Sequence, residues 1–526
     1  MSLTKPGWLL WRPKKQPLDR HWDVITIGSG LGALMAAAKL AKEGLRCLVI
    51  EQHYVAGGYA HHFPRKKQGA LYLFDVALHQ TGRLKAGQEM YEWFRDVGII
   101  DRIEVVDNEI VYRAVYPEHG LDICIPADAD AYRALLKRHF PAESDGIDRF
   151  FEIMFAIPTE LPLLRKAGKD PSINPFDAAP HAMRYMSGTL KDVFDDMVRD
   201  PLLRALLAQL WSYLGLPPGE VSAIYFALMW RSMHTGVHYI RGGGQALSNA
   251  LCEVIEERGG AVKLRTMVDK IIVRDGRAAG VRTASGEEYF ADTVISNAST
   301  IATFGHLLDP QHVPNSVRTQ IGALPVSTSI IQAYVAISGD AAEMGLREHE
   351  IFLNRTVDQD AEWKRVQAGE FRGLSCLLAN HGAVNRDACP PGKSVLEAAI
   401  LANGEFWIGL PKDEYDAKKA AVTEYLIDQI ASYIPDVRDR IEVIEVGTPK
   451  TMYEYSLNPN GAVYGHSCDA QNHTVFRPEQ RTCVPGLYLA GAWTFPGAGF
   501  GGALTSGYVC AGLVIKDRAA SIAALA

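Results

Sequence analysis

The run Gly28-Ser29-Gly30-Leu31-Gly32-Ala33 has the spacing with which a chain grips a diphosphate. A glycine in the first place permits a tight turn. One in the third lets the backbone approach a pyrophosphate, and a small residue in the sixth, here Ala33, lets a helix pack closely on a strand. The elements such a turn requires lie on either side. Val24-Ile25-Thr26-Ile27 is a β-branched run suited to a buried parallel strand, 34–43 reads as an Ala- and Lys-rich helix with Gly44 as its C-terminal cap, and 46–51 is a second buried strand. The N-terminus of that helix offers unpaired N–H groups and partial positive charge to the phosphates. Glu51, closing the second strand, can accept hydrogen bonds from ribose hydroxyls and would repel a 2′-phosphate, which makes NADP a poor fit.

This βαβ unit is embedded in 526 residues, length enough for about two to four domains. Hydrophobic residues make up 48% and charged residues 22%, as in an ordinary folded protein. A net charge of −7 argues against a nucleic-acid partner, which would need a basic footprint. The eight cysteines include no CxxC pair, so neither a zinc ribbon nor a thioredoxin motif is suggested. They read as core thiols of a reducing, cytoplasmic compartment. No apolar run reaches the roughly 18–20 residues of a membrane span. Residues 1–20 read as a leader. Its Trp8-Leu9-Leu10-Trp11 stretch is too short for a signal peptide, but with Arg12, Lys14 and Lys15 it suits either a peripheral membrane contact or a segment packed on the protein surface.

Farther along, 128–240 reads as mainly helical, with 150–164 and 221–230 the most apolar stretches. A helix over 246–258 follows, then a meander turning at Asp275-Gly276 and Ser285-Gly286. Strands are expected over 329–337 and 394–400, a helix over 413–434, and a strand over 487–490 before a last helix over 502–515.

Two further glycine-rich stretches carry a resemblance. Glu51-Gln52-His53-Tyr54-Val55-Ala56-Gly57-Gly58 resembles the second glycine signature of the large FAD-binding family that includes amine oxidases, phytoene desaturases and Rab escort proteins. The stretch from Gly486 through Gly491, Ala492 and Trp493 to Gly501-Gly502-Ala503 is similar to that family's C-terminal signature, in which a glycine-rich loop opens a helix aimed at the flavin. The resemblance implies a Rossmann-like α/β FAD-binding domain of the glutathione reductase 2 type, built from 21–82, 240–305 and 470–526. An interleaved α+β substrate or cap domain would comprise 83–239 and 306–469. It implies FAD as cofactor, held by Gly28, Ser29, Gly30, Gly32, Ala33, Glu51, Gln52, Gly57, Gly58, Tyr59, His61, Val268, Gly491, Ala492, Gly501, Gly502 and Ala503. One position departs from the pattern. The family usually carries an acidic residue where Ala492 stands, a role for which Thr494 or a water is the candidate substitute.

Within the family, Gly57-Gly58-Tyr59-Ala60-His61-His62-Phe63 and Phe74-Asp75-Val76-Ala77-Leu78-His79-Gln80-Thr81-Gly82 look like retinol saturases, and Phe495-Pro496-Gly497 with Ser506-Gly507 looks like carotenoid isomerases. Gln80-Thr81 replaces the usual Tyr-Ile. The resemblance implies hydride and proton transfer at a carbon–carbon bond of an apolar polyene or isoprenoid, as saturation, desaturation or isomerisation, with the electron partner unspecified. His79 is the candidate acid–base group, since histidine titrates near neutrality; a structural histidine beside the flavin is the alternative. Phe150, Phe151, Met154, Phe155, Tyr225, Phe226, Met229 and Trp230 are candidates either for an apolar tunnel or for the core, and 221–230 is a second candidate membrane contact. No metal site is expected. The competing readings are an amine or other small-molecule oxidase, with Tyr453 and Trp493 as aromatic walls, and a non-catalytic escort-like binder.

Overall fold

The computed structural model describes residues 11–15 and 17–525. Strand β1 (His21–Ile27), helix α1 (Leu31–Lys42) and strand β2 (Cys47–Ile50) form the opening unit. Val24, Ile25, Cys47, Leu48 and Val49 are buried, as parallel strands covered on both faces require. The first sheet runs in the order Ala261–Lys263, β2, β1, Glu288–Ser296, Arg277–Thr283, Val268–Arg274. Leu487–Leu489 completes it beside Glu288–Ser296.

The strand Glu288–Ser296 organises this sheet. Glu288–Phe290 runs antiparallel to Arg277–Thr283, whereas Val294–Ser296 runs parallel to Leu487–Leu489, and β1 lies parallel along the other edge. β1, β2, Glu288–Ser296 and Leu487–Leu489 therefore end at one rim. The segments that follow them, Gly28–Gly32, Glu51–Gly58, Asn297 and Gly491, meet there, where ligands of open α/β sheets bind. The 27-residue helix Gly499–Leu525 packs along α1. A Cβ on Gly507 would lie 2.2 Å from the Gly32 carbonyl oxygen, so the two helices touch only because glycine stands at 507.

The second seven-stranded sheet runs Ile441–Gly447, Ser329–Ser338, Lys393–Ala402, Cys376–Asn380, Glu350–Leu353, Ile110–Tyr116, Leu121–Pro126. Ser329–Ser338 and Lys393–Ala402 pair over ten positions, from Ser329 opposite Ala402 to Ser338 opposite Lys393. One row across this sheet reads Glu350, Ala379, Glu397, Tyr334. Residues directly opposite one another share a face. The register thus sets two carboxylates on the same side, separated by an alanine.

Several expectations need amending. The helix over 246–258 begins earlier, at Gly243, so Gly243 and Gly244 are inside it. A Cβ on Gly244 would meet Ala60 at 2.8 Å, so close packing accounts for the glycine. The last helix starts at Gly499 rather than 502. Phe150, Phe151, Met154, Phe226 and Trp230 are core residues, with Phe151 and Trp230 edge to face at 5.0 Å; Tyr225 and Met229 do line the cleft described below. The helix Ala223–Met233 is largely buried, so 221–230 is not available to a membrane. Trp8, Leu9 and Leu10 lie outside the described residues. Trp11 packs against the core, and the Lys14 backbone N–H donates to Glu256 Oε1 at 2.9 Å, so this part of the leader lies on the protein.

Candidate active site

The three glycine stretches converge. Gly30 forms an isolated parallel bridge with Gly57, and a Cβ on Gly58 would come within 3.1 Å of Gly30 Cα. A Cβ on Gly32 would sit 2.5 Å from Gly491 N. Gly28 has φ +87°, Gly57 +127° and Gly491 +99°, conformations that side-chain-bearing residues rarely adopt.

Asn297, which residue types alone did not single out, ties these turns together. Its Oδ1 accepts the Ala33 backbone N–H at 3.1 Å, and its side chain is the nearest neighbour of Gly28, Gly30 and Gly491. Glu51 is buried. Its Oε2 accepts from the Ser29 N–H at 2.8 Å and the Ser29 hydroxyl at 2.6 Å, and its Oε1 from the His53 N–H at 2.7 Å. A carboxylate has about four lone-pair sites, so one acceptor position is left on this residue, which borders the cleft.

Gln52 Nε2 donates to the Tyr455 carbonyl at 3.1 Å, and the Tyr59 hydroxyl to the Ala462 carbonyl at 3.3 Å, joining the second glycine stretch to 449–462. His61 Nδ1 donates to the Gly58 carbonyl at 2.6 Å; burial pulls its pKa down to about 4, which keeps the ring neutral near pH 7. Val268, in contrast to these loop residues, is set by a strand and lines the same cleft.

At the C-terminal turn, Gly501, Gly502 and Ala503 form the first turn of the last helix and face the cleft. The Ala492 carbonyl accepts from Arg477 Nη1 at 2.6 Å. Thr494 does not serve as the expected substitute for an acidic residue. It is fully buried, and its hydroxyl donates to the Pro478 carbonyl. The charge beside Ala492 is the buried Arg477 guanidinium instead, whose other bonds go to the carbonyls of His466 and Ser467 and to Cys468 Sγ.

All these segments line one cleft of about 2120 Å³. His79 lines it too. Its segment is pinned by Gln332 Nε2 and the Tyr334 hydroxyl, both donating to the Val76 carbonyl at 3.2 Å. His79 lies over the Glu350–Ala379–Glu397 row, with Nε2 2.9 Å from Glu397 Oε1 and Nδ1 3.7 Å from Glu350 Oε1. The Nε2 contact is an ion pair at close range rather than a well-aligned hydrogen bond, since Glu397 Oε1 has no hydrogen-bond donor.

Glu397 Oε2 also faces His381 Nε2 at 3.2 Å. Glu350 Oε2 accepts the hydroxyl of Tyr213. Burial opposes charge on His79, but the Glu397 and Glu350 carboxylates outweigh it and hold its pKa up to about 9. For Glu397, burial is outweighed in turn by His79 and His381, and its pKa falls far below the usual carboxylate range. Burial dominates at Glu350 and pushes its pKa up. The result is a buried imidazolium–carboxylate pair flanked by a carboxyl group inclined to stay protonated.

Comparison with known proteins settles the family. The flavin containing amine oxidoreductase family matches residues 34–515. The chain belongs to that family. It is an FAD-dependent oxidoreductase. It is 28% identical to the all-trans-retinol 13,14-reductase of Danio rerio, covering 98% of this chain and 89% of that protein. It is 26% identical to the chloroplastic prolycopene isomerase 2 of an Oncidium hybrid cultivar, covering 94% and 84%. Among solved structures, an oxidoreductase from Methanosarcina mazei aligns with a TM-score of 0.62 at 17% identity, over 93% of this chain and 99% of that one. A putrescine oxidase bound to putrescine aligns at 0.60 and 16% identity, over 94% and 99%. These two share the fold.

The flavoenzyme's glycine rim fits its cofactor. At Gly30, Gly58 and Gly32 the backbone is bare where a Cβ would fill the space, two helix N-termini open on the cleft, and Glu51 retains an acceptor. Asn297→Ala is expected to cost about 1–3 kcal/mol, the price of leaving the Ala33 N–H without its partner, and to loosen FAD in parallel. Thermal unfolding and an equilibrium dialysis of FAD check it.

Among the described residues, no helix is long and apolar enough to cross a membrane. Trp493 packs edge to face with His466 at 4.9 Å, and Tyr453 is exposed; both border the cleft.

Proposed function

We propose that this flavoenzyme acts on carbon–carbon double bonds of an apolar polyene or isoprenoid, as a saturase, desaturase or cis–trans isomerase. We further propose that FAD lies along Gly28–Ala33, Glu51–His61, Val268 and Gly491–Ala503, with His79 as the proton source. The observation that carries the reading is the buried His79–Glu397 pair in the wall of a cleft of about 2120 Å³. A site for one drug-sized ligand spans about 300–1,000 Å³, so there is room for the dinucleotide and a second long molecule. Apolar side chains such as Leu161, Leu228, Met229 and Met233 line the part contributed by the helices.

An alkene carbon is a weak base, and protonating it calls for an acid that still holds its proton at neutral pH, which the two carboxyl groups beside His79 favour. FAD supplies the hydride chemistry when bound. The relatives named as a retinol reductase and a prolycopene isomerase support the substrate class.

Anaerobic incubation of the reduced holoenzyme with all-trans-retinol, a poly-cis carotenoid and small enones tests the proposal. A polyene product with one double bond fewer and oxidised flavin identifies a saturase. A changed isomer with the flavin still reduced identifies an isomerase. No change in any polyene with either reduced or oxidised holoenzyme, while the oxidised holoenzyme oxidises amines in a parallel incubation, would overturn the proposal.

A further inference from the structure

The ring nitrogens of His79 both face carboxylates, Nε2 toward Glu397 at 2.9 Å and Nδ1 toward Glu350 at 3.7 Å. Nδ1 is buried and makes no hydrogen bond, and the carboxylates are the nearest charged groups to both nitrogens. A second proton-bearing group stands beside them. Tyr213 lines the cleft, and its hydroxyl is hydrogen bonded to Glu350 Oε2, the far oxygen of the carboxyl group whose near oxygen approaches His79. Glu350 itself is buried behind them, with 0% of its side chain exposed, and its Oε1 has no hydrogen-bond donor.

Tyr213 is also held on the cofactor side. The neighbouring Ser212 carbonyl accepts from the Tyr464 hydroxyl at 2.9 Å. Gly465, next to Tyr464, lies against Ala492, a Cβ there coming within 2.6 Å of the Ala492 carbonyl. The Tyr213 ring makes edge-to-face contacts with His79 at 6.2 Å and Phe352 at 6.0 Å. Its position is thereby fixed between the C-terminal glycine turn and the carboxylate row.

We infer that Tyr213 is a further catalytic residue, which hands the proton to the substrate and is re-protonated from His79 through Glu350. This deepens the reading of the enzyme as one that adds hydrogen across a carbon–carbon double bond, and rests on it. In the saturating direction, the reduced cofactor would supply the hydride for one carbon. The Tyr213 O–H bond breaks as a C–H bond forms at the other. Glu350, a protonated carboxyl group at the outset, gives its proton from Oε2 to the phenolate oxygen and takes one at Oε1 from His79 Nδ1, 3.7 Å away. One proton leaves His79, which ends neutral beside the Glu397 carboxylate, and charge balances. Glu350 is a positioning and relay residue, since it touches neither substrate nor cofactor. The ionisable groups facing His79 are Glu397, Glu350, His381 and Tyr213, with Asp75 and His349 acting from farther off.

The test uses full-length holoenzyme carrying Tyr213→Phe or Glu350→Gln, each of which keeps shape. Tyr213→Phe is expected to lower kcat for a polyene by about 100-fold or more, with KM, bound FAD and the flavin spectrum within about twofold of wild type. In Glu350→Gln, the alkaline limb of the kcat profile that tracks His79 is expected to disappear, a change that a packing role would not produce. Turnover by Tyr213→Phe within about threefold of wild type would overturn the inference. If wild type converts no polyene, the substrate reading fails, and histidine NMR still decides the relay: the titration of His79 is expected to shift in both variants, and a titration identical to wild type in both would refute it.

Discussion

Gly32→Ala is expected to yield protein that retains less than about a tenth of wild-type FAD, the equivalent of at least about 1.4 kcal/mol in binding. The added Cβ would stand 2.5 Å from Gly491 N, 2.6 Å from Gly491 Cα and 2.8 Å from Asn297 Oδ1. None of these is the yielding tip of a long side chain. Gly491 has φ +99° and is held by the Ser506 hydroxyl, which accepts its N–H at 3.0 Å; Asn297 is held by Ala33. The methyl group therefore has to push apart the first and last glycine turns or the two helices that start from them. Overpacking of this kind costs about 1–3 kcal/mol in stability, and the displacement falls where two backbones have to approach one ligand. Flavin absorbance per protein after gel filtration gives the result, and thermal unfolding separates it from misfolding. Gly512→Ala is the control. It lies in the same terminal helix with nothing within 4 Å of the new Cβ, and is expected to be neutral or to stabilise by up to about 1 kcal/mol. Equal flavin loss in both variants would show that the glycine contact at the rim has no special part in holding FAD.

That contact also shows what could be read from residue order. The Gly28–Ala33 turn, its two strands and its helix are local features. Their signals sit within 30 residues of one another, so type and spacing suffice. The glycines of 486–502 could be recognised as a second such feature, and their meeting with the first was expected from the resemblance. Asn297 could not be found in that way. It follows a strand, it belongs to no motif, and it matters because Glu288–Ser296 pairs with both β1 and Leu487–Leu489, which no local pattern encodes.

Glu397 carried a faint signal, a lone carboxylate in the apolar run Ser394–Ala402. Glu350 before Ile351-Phe352-Leu353 is similar. A charge in a strand buried on both faces calls for a partner, but the identity of that partner rests on the register that sets Ala379 between the two and leaves room for His79. The apolar stretches fared differently. Phe150 and Phe151 belong to the core while Tyr225 and Met229 border the cleft, because hydrophobic periodicity separates inside from outside and does not separate core from cavity wall.

The register-made pair gives the second large effect. Glu397→Gln is expected to lower kcat by about 100-fold at pH 8 and to recover much of that loss by pH 6. The side chain keeps its size and an oxygen for His381, but its charge is gone. Burial then prevails at His79, whose pKa drops from about 9 toward or below 6.5, so the acid is mostly neutral at pH 8 and regains its proton as pH falls. Stability follows the same linkage. A histidine whose pKa is raised on folding stabilises the protein fully below its unfolded pKa of about 6.5 and loses that contribution as pH rises through its folded value. A rise from 6.5 to about 9, at about 1.4 kcal/mol per unit, makes the wild-type decline across that window of the order of 3 kcal/mol. In Glu397→Gln, the decline should vanish, with the stability of the variant near that of alkaline wild type throughout. The depressed Glu397 carboxylate acts in the opposite sense, its contribution being present above its ordinary value of 4.5 and lost as pH falls below it. Denaturant unfolding at pH 6, 7.5 and 9 reads the His79 slope, and further points at pH 3 and 4.5 read that of Glu397. Parallel curves for wild type and variant would mean that His79 is neutral in the native protein and that the acid of this flavoenzyme lies elsewhere.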